Sequence, residues 1–178
     1  MAFVEYKGEI LPYSFEDKAI DKILELEGGY NPKDPVTRMP VKYGIDQLAN
    51  PDIDVSKLTK EDARKIYRDR YWSKSGAADL PENLALVHFD AAVNQGPEKA
   101  KQLLEASGGD ADKYLELRKA EYERLAKQDP EKYGSSLKGW MNRLDALRSI
   151  SAPSFEEYTG EDRKSTRLNS SHTDISRM

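Results

Sequence analysis

Glu27-Gly28-Gly29-Tyr30 puts a carboxylate, a flexible glycine pair and an aromatic ring into one short run. The helical spacing that precedes it ends at Glu27, so the carboxylate falls at a helix C-terminus. That end of a helix carries partial negative charge and disfavours an ionised acid. A surface glutamate gains nothing from such a place, whereas a general acid, whose work is to hold a proton and then give it up, does. Position and residue type alone leave both readings open. Other chemistry is scarce. The chain has no Cys, which excludes disulfides, thiol catalysis and Cys-based zinc sites. Its two His, at 88 and 172, are too few for a His-rich metal site, and His88 on an apolar helix reads as a hydrogen-bonded core residue. No metal and no cofactor are expected.

Several elements must hold Glu27 in place. Ser14 followed by Asp17 has the form of a capping box. Phe15, Ala19, Ile20, Ile23 and Leu24 then recur at helical spacing, and the helix stops at Gly28-Gly29. Pro32, Pro35, Pro40 and Pro51 make the next stretch irregular or short β. Thr59 and Asp62 cap a second helix, whose apolar face is Ala63, Ile66, Tyr67 and Tyr71. Pro81 opens a third, LALVHFDAAVNQG, apolar nearly all round and therefore central. Gly96-Pro97 starts a fourth and Gly108-Gly109-Asp110 ends it. A long fifth helix ends near Pro130, and a last one covers Leu137 to Ile150. With no internal repeat or linker, these predict one mainly α domain over residues 1–153.

Composition narrows the partners. At 178 residues the chain can build one real core. Hydrophobic content of 38% beside 34% charged residues fits a soluble, largely helical protein with no membrane span. MAFVEYKGEI lacks the pattern of a signal peptide, so synthesis in a bacterial cytoplasm is expected. The net charge of −4 argues against nucleic acid. Residues 154–178 read as a disordered tail. Within it, 162–178 matches the in-frame translation of a common sequencing adapter and is set aside as a processing scar. That tail carries a net +2, which leaves −6 on residues 1–161. A monomer is expected.

Five blocks in order, ILELEGGY, VKYGID, LTKEDARKIYRDRYW, FDAAVNQGPEKAKQLL and RKAEYERLAKQDPEKYGSSLKGWMNRL, resemble the glycoside hydrolase family 108 N-acetylmuramidases, which include phage endolysins and bacterial lysozyme-like enzymes. The resemblance implies a lysozyme-like domain acting on bacterial peptidoglycan. It would have a catalytic segment at about 15–95 and a peptidoglycan-binding segment at about 96–150. It implies that Glu27 is the general acid that protonates the glycosidic oxygen. Asp34, in the loop that follows, is the candidate second catalytic carboxylate, with Asp46 as the other choice; either residue type beside Pro or Gly also suits a turn. Tyr30, Thr37, Tyr43, Asp46, Asn94 and Gln95 are the candidate substrate contacts. Tyr30 is placed to stack on a sugar, and Asn94 and Gln95 to bond acetamido groups or simply to cap their helix. Trp140 reads as packed, with Asn142 and Arg143 open.

One position departs from the family pattern. Relatives read Gly-Gly-x-Thr before the Tyr43-Gly44-Ile45 step, and this chain has Val41 where the Thr hydroxyl is expected. Thr37 is the nearby hydroxyl that could substitute. Three functions therefore stand: a hydrolase of the β-1,4 bond between N-acetylmuramic acid and N-acetylglucosamine that reaches the wall after release from the cell, a lytic transglycosylase giving anhydro products, and a degenerate wall-binding or phage structural protein.

Overall fold

The computed structural model describes residues 3–6, 8–33 and 38–151. Asp34, Thr37 and the tail from residue 154 lie outside the described residues. An N-terminal hairpin not foreseen from the sequence pairs β1 (Phe3–Tyr6) with β2 (Glu9–Pro12). Helix α1 spans Phe15–Glu27. Its capping box closes in both directions: the Ser14 hydroxyl accepts from the Asp17 amide at 3.3 Å, and the Asp17 carboxylate accepts from the Ser14 amide at 2.7 Å. Arg68 pairs with that same Asp17 and with Glu16 at 2.8 Å, fixing the helix start to a later segment. Ser14→Ala removes the cap and is expected to cost about 1 kcal/mol, measurable as a shift in the urea midpoint.

Three two-residue strands follow, β3 (Tyr30–Asn31), β4 (Val41–Lys42) and β5 (Ile45–Asp46), in an antiparallel sheet of order β3-β4-β5. The β4–β5 turn is Tyr43-Gly44, with φ 54 and 73. Two successive positive φ values are what a two-residue hairpin of matching twist requires. Gly44 adopts its value freely, while Tyr43 does so at a cost of about 1 kcal/mol. The Tyr67 hydroxyl, donating to the Tyr43 carbonyl at 2.9 Å, offsets that cost.

Helix α2 (Lys60–Ile66) starts at Thr59, boxed with Asp62 as expected. The expected α-helical face through Tyr71 is not what forms. Residues Tyr67–Trp72 are π-helical and lead into the short α3 (Ser73–Ser75). The cause is visible in the packing. Tyr67 and Trp72 are both buried and both meet Phe89 edge-on, at 6.4 and 4.9 Å. Five residues apart, they would sit about 140° apart on an α-helix, but they share a face where the bonding runs i to i+5. Tyr71 is left half-buried against Tyr67.

Helix α4 (Glu82–Gln95) is the axis of the domain, with Leu84 to Ala91 all buried. It packs on α1, on the π-helical stretch and on α5 (Pro97–Ser107), α6 (Ala111–Gln128) and α7 (Pro130–Ser151). The last helix begins seven residues before the expected Leu137. Pro130 occupies its first turn, where a missing N–H costs nothing, and Asp129 accepts from the Lys132 amide at 3.1 Å. Tyr133 and Trp140 pack together at 5.9 Å, and tertiary contact with α6 carries the helix through Gly134. The fold is a mainly α, lysozyme-like domain with a short β segment after the first helix. Among the described residues no helix is long and apolar enough to cross a membrane.

Candidate active site

Glu27 is the last residue of α1, and Gly28, at φ 78, turns the chain away from it into the small sheet. Its side chain is 19% exposed and lies between that sheet and α7. On the α7 side, Arg143 Nη2 donates to Glu27 Oε1 at 2.7 Å. On the sheet side, Gly44 comes so close that a Cβ there would lie 2.7 Å from Glu27 Oε2 and 2.8 Å from the Tyr67 hydroxyl. The hairpin turn therefore needs glycine for space as well as for φ. Burial and the neighbouring Glu27 carboxylate push the Tyr67 hydroxyl far above its ordinary range, so it keeps its proton.

Behind Glu27 runs a buried polar chain. Arg143 Nε also donates to Asp90, to Oδ1 at 2.9 Å and Oδ2 at 3.2 Å, and its Nη2 lies 2.8 Å from Asp90 Oδ1 as an ion pair. Asp90 in turn accepts from Arg118 Nη1 at 2.8 Å, and both are fully buried. Arg118 Nε donates to Gln95 Oε1 at 2.9 Å and its Nη2 to the Tyr122 hydroxyl at 3.1 Å; that hydroxyl donates to Asn94 Oδ1 at 2.8 Å. Two arginines thus face two carboxyl groups along this chain. Burial opposes the Arg143 charge, but Asp90 and Glu27 hold it more firmly protonated than a free guanidinium.

The expected site residues divide. Tyr43 stands at the turn beside Glu27. Tyr30, 47% exposed on β3, lies across the sheet from Lys42, whose Nζ sits 5.8 Å from the centroids of both the Tyr30 and the Tyr43 rings. Asp46 Oδ1 accepts from the Leu48 and Ala49 amides at 2.7 and 3.1 Å, the bonding of a turn residue. Asn94 and Gln95 offer their oxygens to Tyr122 and Arg118. Val41 sits in the middle strand, paired with Asn31 and Asp46. His88 is buried, with Nε2 2.8 Å from the Ser75 carbonyl and Nδ1 3.2 Å from the Tyr114 hydroxyl, and burial lowers its pKa. Trp140 stacks on Tyr122 at 4.6 Å, a packing role. Among the described residues no cluster of His, Cys, Asp or Glu is arranged to hold a metal.

Tyr67, Asp90 and Arg118 are the residues that sequence reasoning missed, and Arg143 the one it left open. One signal was present. Asp90 is a lone acid inside the apolar run LALVHFDAAV, and a buried charge demands partners.

The arrangement has relatives. The glycosyl hydrolase 108 family model matches residues 20–96. SagA of Brucella abortus has a similar structure, with a TM-score of 0.59 and 28% sequence identity, over 76% of this chain and 92% of that one. No curated protein matches. Over residues 20–96 the chain thus resembles the glycosyl hydrolase 108 family, a likeness that supports glycoside hydrolysis as its chemistry.

Proposed function

We propose that the protein is an N-acetylmuramidase of bacterial peptidoglycan, with Glu27 as its general acid. The observation that carries this is the setting of Glu27. It ends the first helix of a lysozyme-like fold inside the glycosyl hydrolase 108 match, held by Arg143 on one side and flanked closely by the Gly44 turn on the other. In this role protonated Glu27 gives its proton to the oxygen between N-acetylmuramic acid and N-acetylglucosamine as that bond breaks and the sugar gains oxocarbenium character. Arg143 faces the carboxylate that the transfer leaves behind. Tyr30, exposed beside the site, offers a face for a sugar ring. A role in bacteriophage lysis or in bacterial wall turnover fits this chemistry equally, with the wall reached after release.

A second reading, lytic transglycosylation, has its own support. Hydrolysis needs a group that holds water, and Val41 brings no hydroxyl. Among the described residues, Asp46 is spent on its turn and Asp90 on two arginines. In a transglycosylase the muramic acid closes on itself and no water attacks. Digestion of purified peptidoglycan followed by mass spectrometry separates the two. Reducing muramic ends support the hydrolase and anhydro ends the transglycosylase, while binding without any product would mark a degenerate, wall-binding protein.

Gly44→Ala offers a local check. The added methyl meets Glu27 and the Tyr67 hydroxyl, and φ 73 is strained for alanine. Muropeptide release is expected to fall by roughly a hundredfold, as misplacement by about 1 Å does, with a melting temperature lower by only a few degrees. Release at the parent rate would show that the hairpin turn does not set the position of Glu27.

A further inference from the structure

We infer that Arg143 is a positioning residue for Glu27, anchored by the buried pair Asp90–Arg118, so that the helices beyond the family match complete the active site. This rests on the proposed role of Glu27. Both Arg118 and Arg143 lie outside residues 20–96, on α6 and α7. The segment from about 96 to 150, expected from the sequence to bind the wall, would therefore hold Glu27 in place.

The geometry argues for positioning. Arg143 Nη2 stands 2.7 Å from Glu27 Oε1 and 2.8 Å from Asp90 Oδ1, while its Nε is tied to Asp90 as well. A guanidinium whose Nε is hydrogen-bonded to one carboxylate and whose Nη2 is hydrogen-bonded to another has its plane fixed. Asp90 cannot turn to follow it, because Arg118 occupies its other oxygen, and neither residue is exposed. Arg118 is itself held at all three nitrogens, by Asp90, Gln95 and Tyr122. Exposure and freedom thus decrease step by step from Glu27 inward. A donor fixed in this way meets the charge that appears on Glu27 without having to reorganise, which is where buried electrostatics contribute most to rate. Asp90 and Arg118 would complete a merely structural pair alone; the outward nitrogen of Arg143 is what extends that pair to the catalytic acid.

The test compares the parent chain with Arg143→Gln and Arg143→Lys, following muropeptide release from purified wall at low and saturating amounts, sedimentation with insoluble wall, and circular dichroism. Arg143→Gln is expected to keep the parent spectrum and wall binding and to lose about a hundredfold in kcat, with Arg143→Lys recovering part of it. Parent kcat in Arg143→Gln, or a loss confined to wall binding, overturns the inference. The proton exchange of the Arg143 Nε–H, followed by nitrogen-15 NMR in the full chain, needs no activity. Slow exchange that changes in Glu27→Gln supports the pair; exchange as fast as that of the exposed Arg124 overturns it. A parent chain that releases no product while showing slow exchange would refute the muramidase reading and leave the anchored Glu27–Arg143 pair standing.

Discussion

Glu27→Gln is expected to fold like the parent and to release no measurable muropeptides, a loss of at least about a thousandfold. A positioned general acid contributes roughly a hundred- to ten-thousandfold, and glutamine has no acidic proton to give. The substitution is nearly isosteric, and its amide oxygen still accepts from Arg143 in place of Oε1. The Arg143 charge keeps Asp90 as its second partner, so the stability cost should stay near 1–2 kcal/mol. Turbidity loss of cell walls and mass spectrometry of soluble products measure the first effect, and thermal unfolding the second. Lysis at the parent rate would remove Glu27 from the chemistry. A collapse of the melting temperature would instead make the loss of activity uninformative about catalysis, and for that reason both are measured on one preparation.

What could be read from the sequence depended on how far apart the interacting groups lie along the chain. The Ser14 box, the stop at Gly28, the Thr59 box and the breaks at Gly96-Pro97 and Gly108-Gly109 are all decided within a few residues, and each forms as its spacing requires. Tyr67 and Trp72 show where local reading fails. Whether a helical segment stays α or widens to π is decided by Phe89, about twenty residues later, which both rings must reach. The start of α7 failed in the same way, since Tyr133 near its start packs on Trp140, which itself stacks on Tyr122 of α6. Glu27 was legible as a candidate from its place at a helix end and from the resemblance of its motif. Its partner was not, because Arg143 lies 116 residues away and is placed by the fold alone.

The anchor itself should dominate stability. Asp90 is a fully buried carboxylate between two arginines, one of which, Arg118, is also fully buried. Asp90→Asn takes away the negative charge and leaves both guanidinium groups in a medium that solvates them poorly. Removing one partner from a buried pair costs about 3–5 kcal/mol. For a domain of this size that corresponds to a fall in melting temperature of roughly 10–15 °C. The loss should far exceed that of Asp52→Asn, whose carboxylate pairs with Arg70 at the surface and is 57% exposed, where an ion pair contributes little. Coupling provides the sharper check. If the penalty comes from uncompensated charge, adding Arg143→Met to Asp90→Asn removes one stranded cation, and the double variant should be less destabilised than the sum of the two single changes. Strict additivity would mean that Asp90 contributes by packing and not by charge, and the buried chain of ion pairs would lose its claim to hold Glu27 in place.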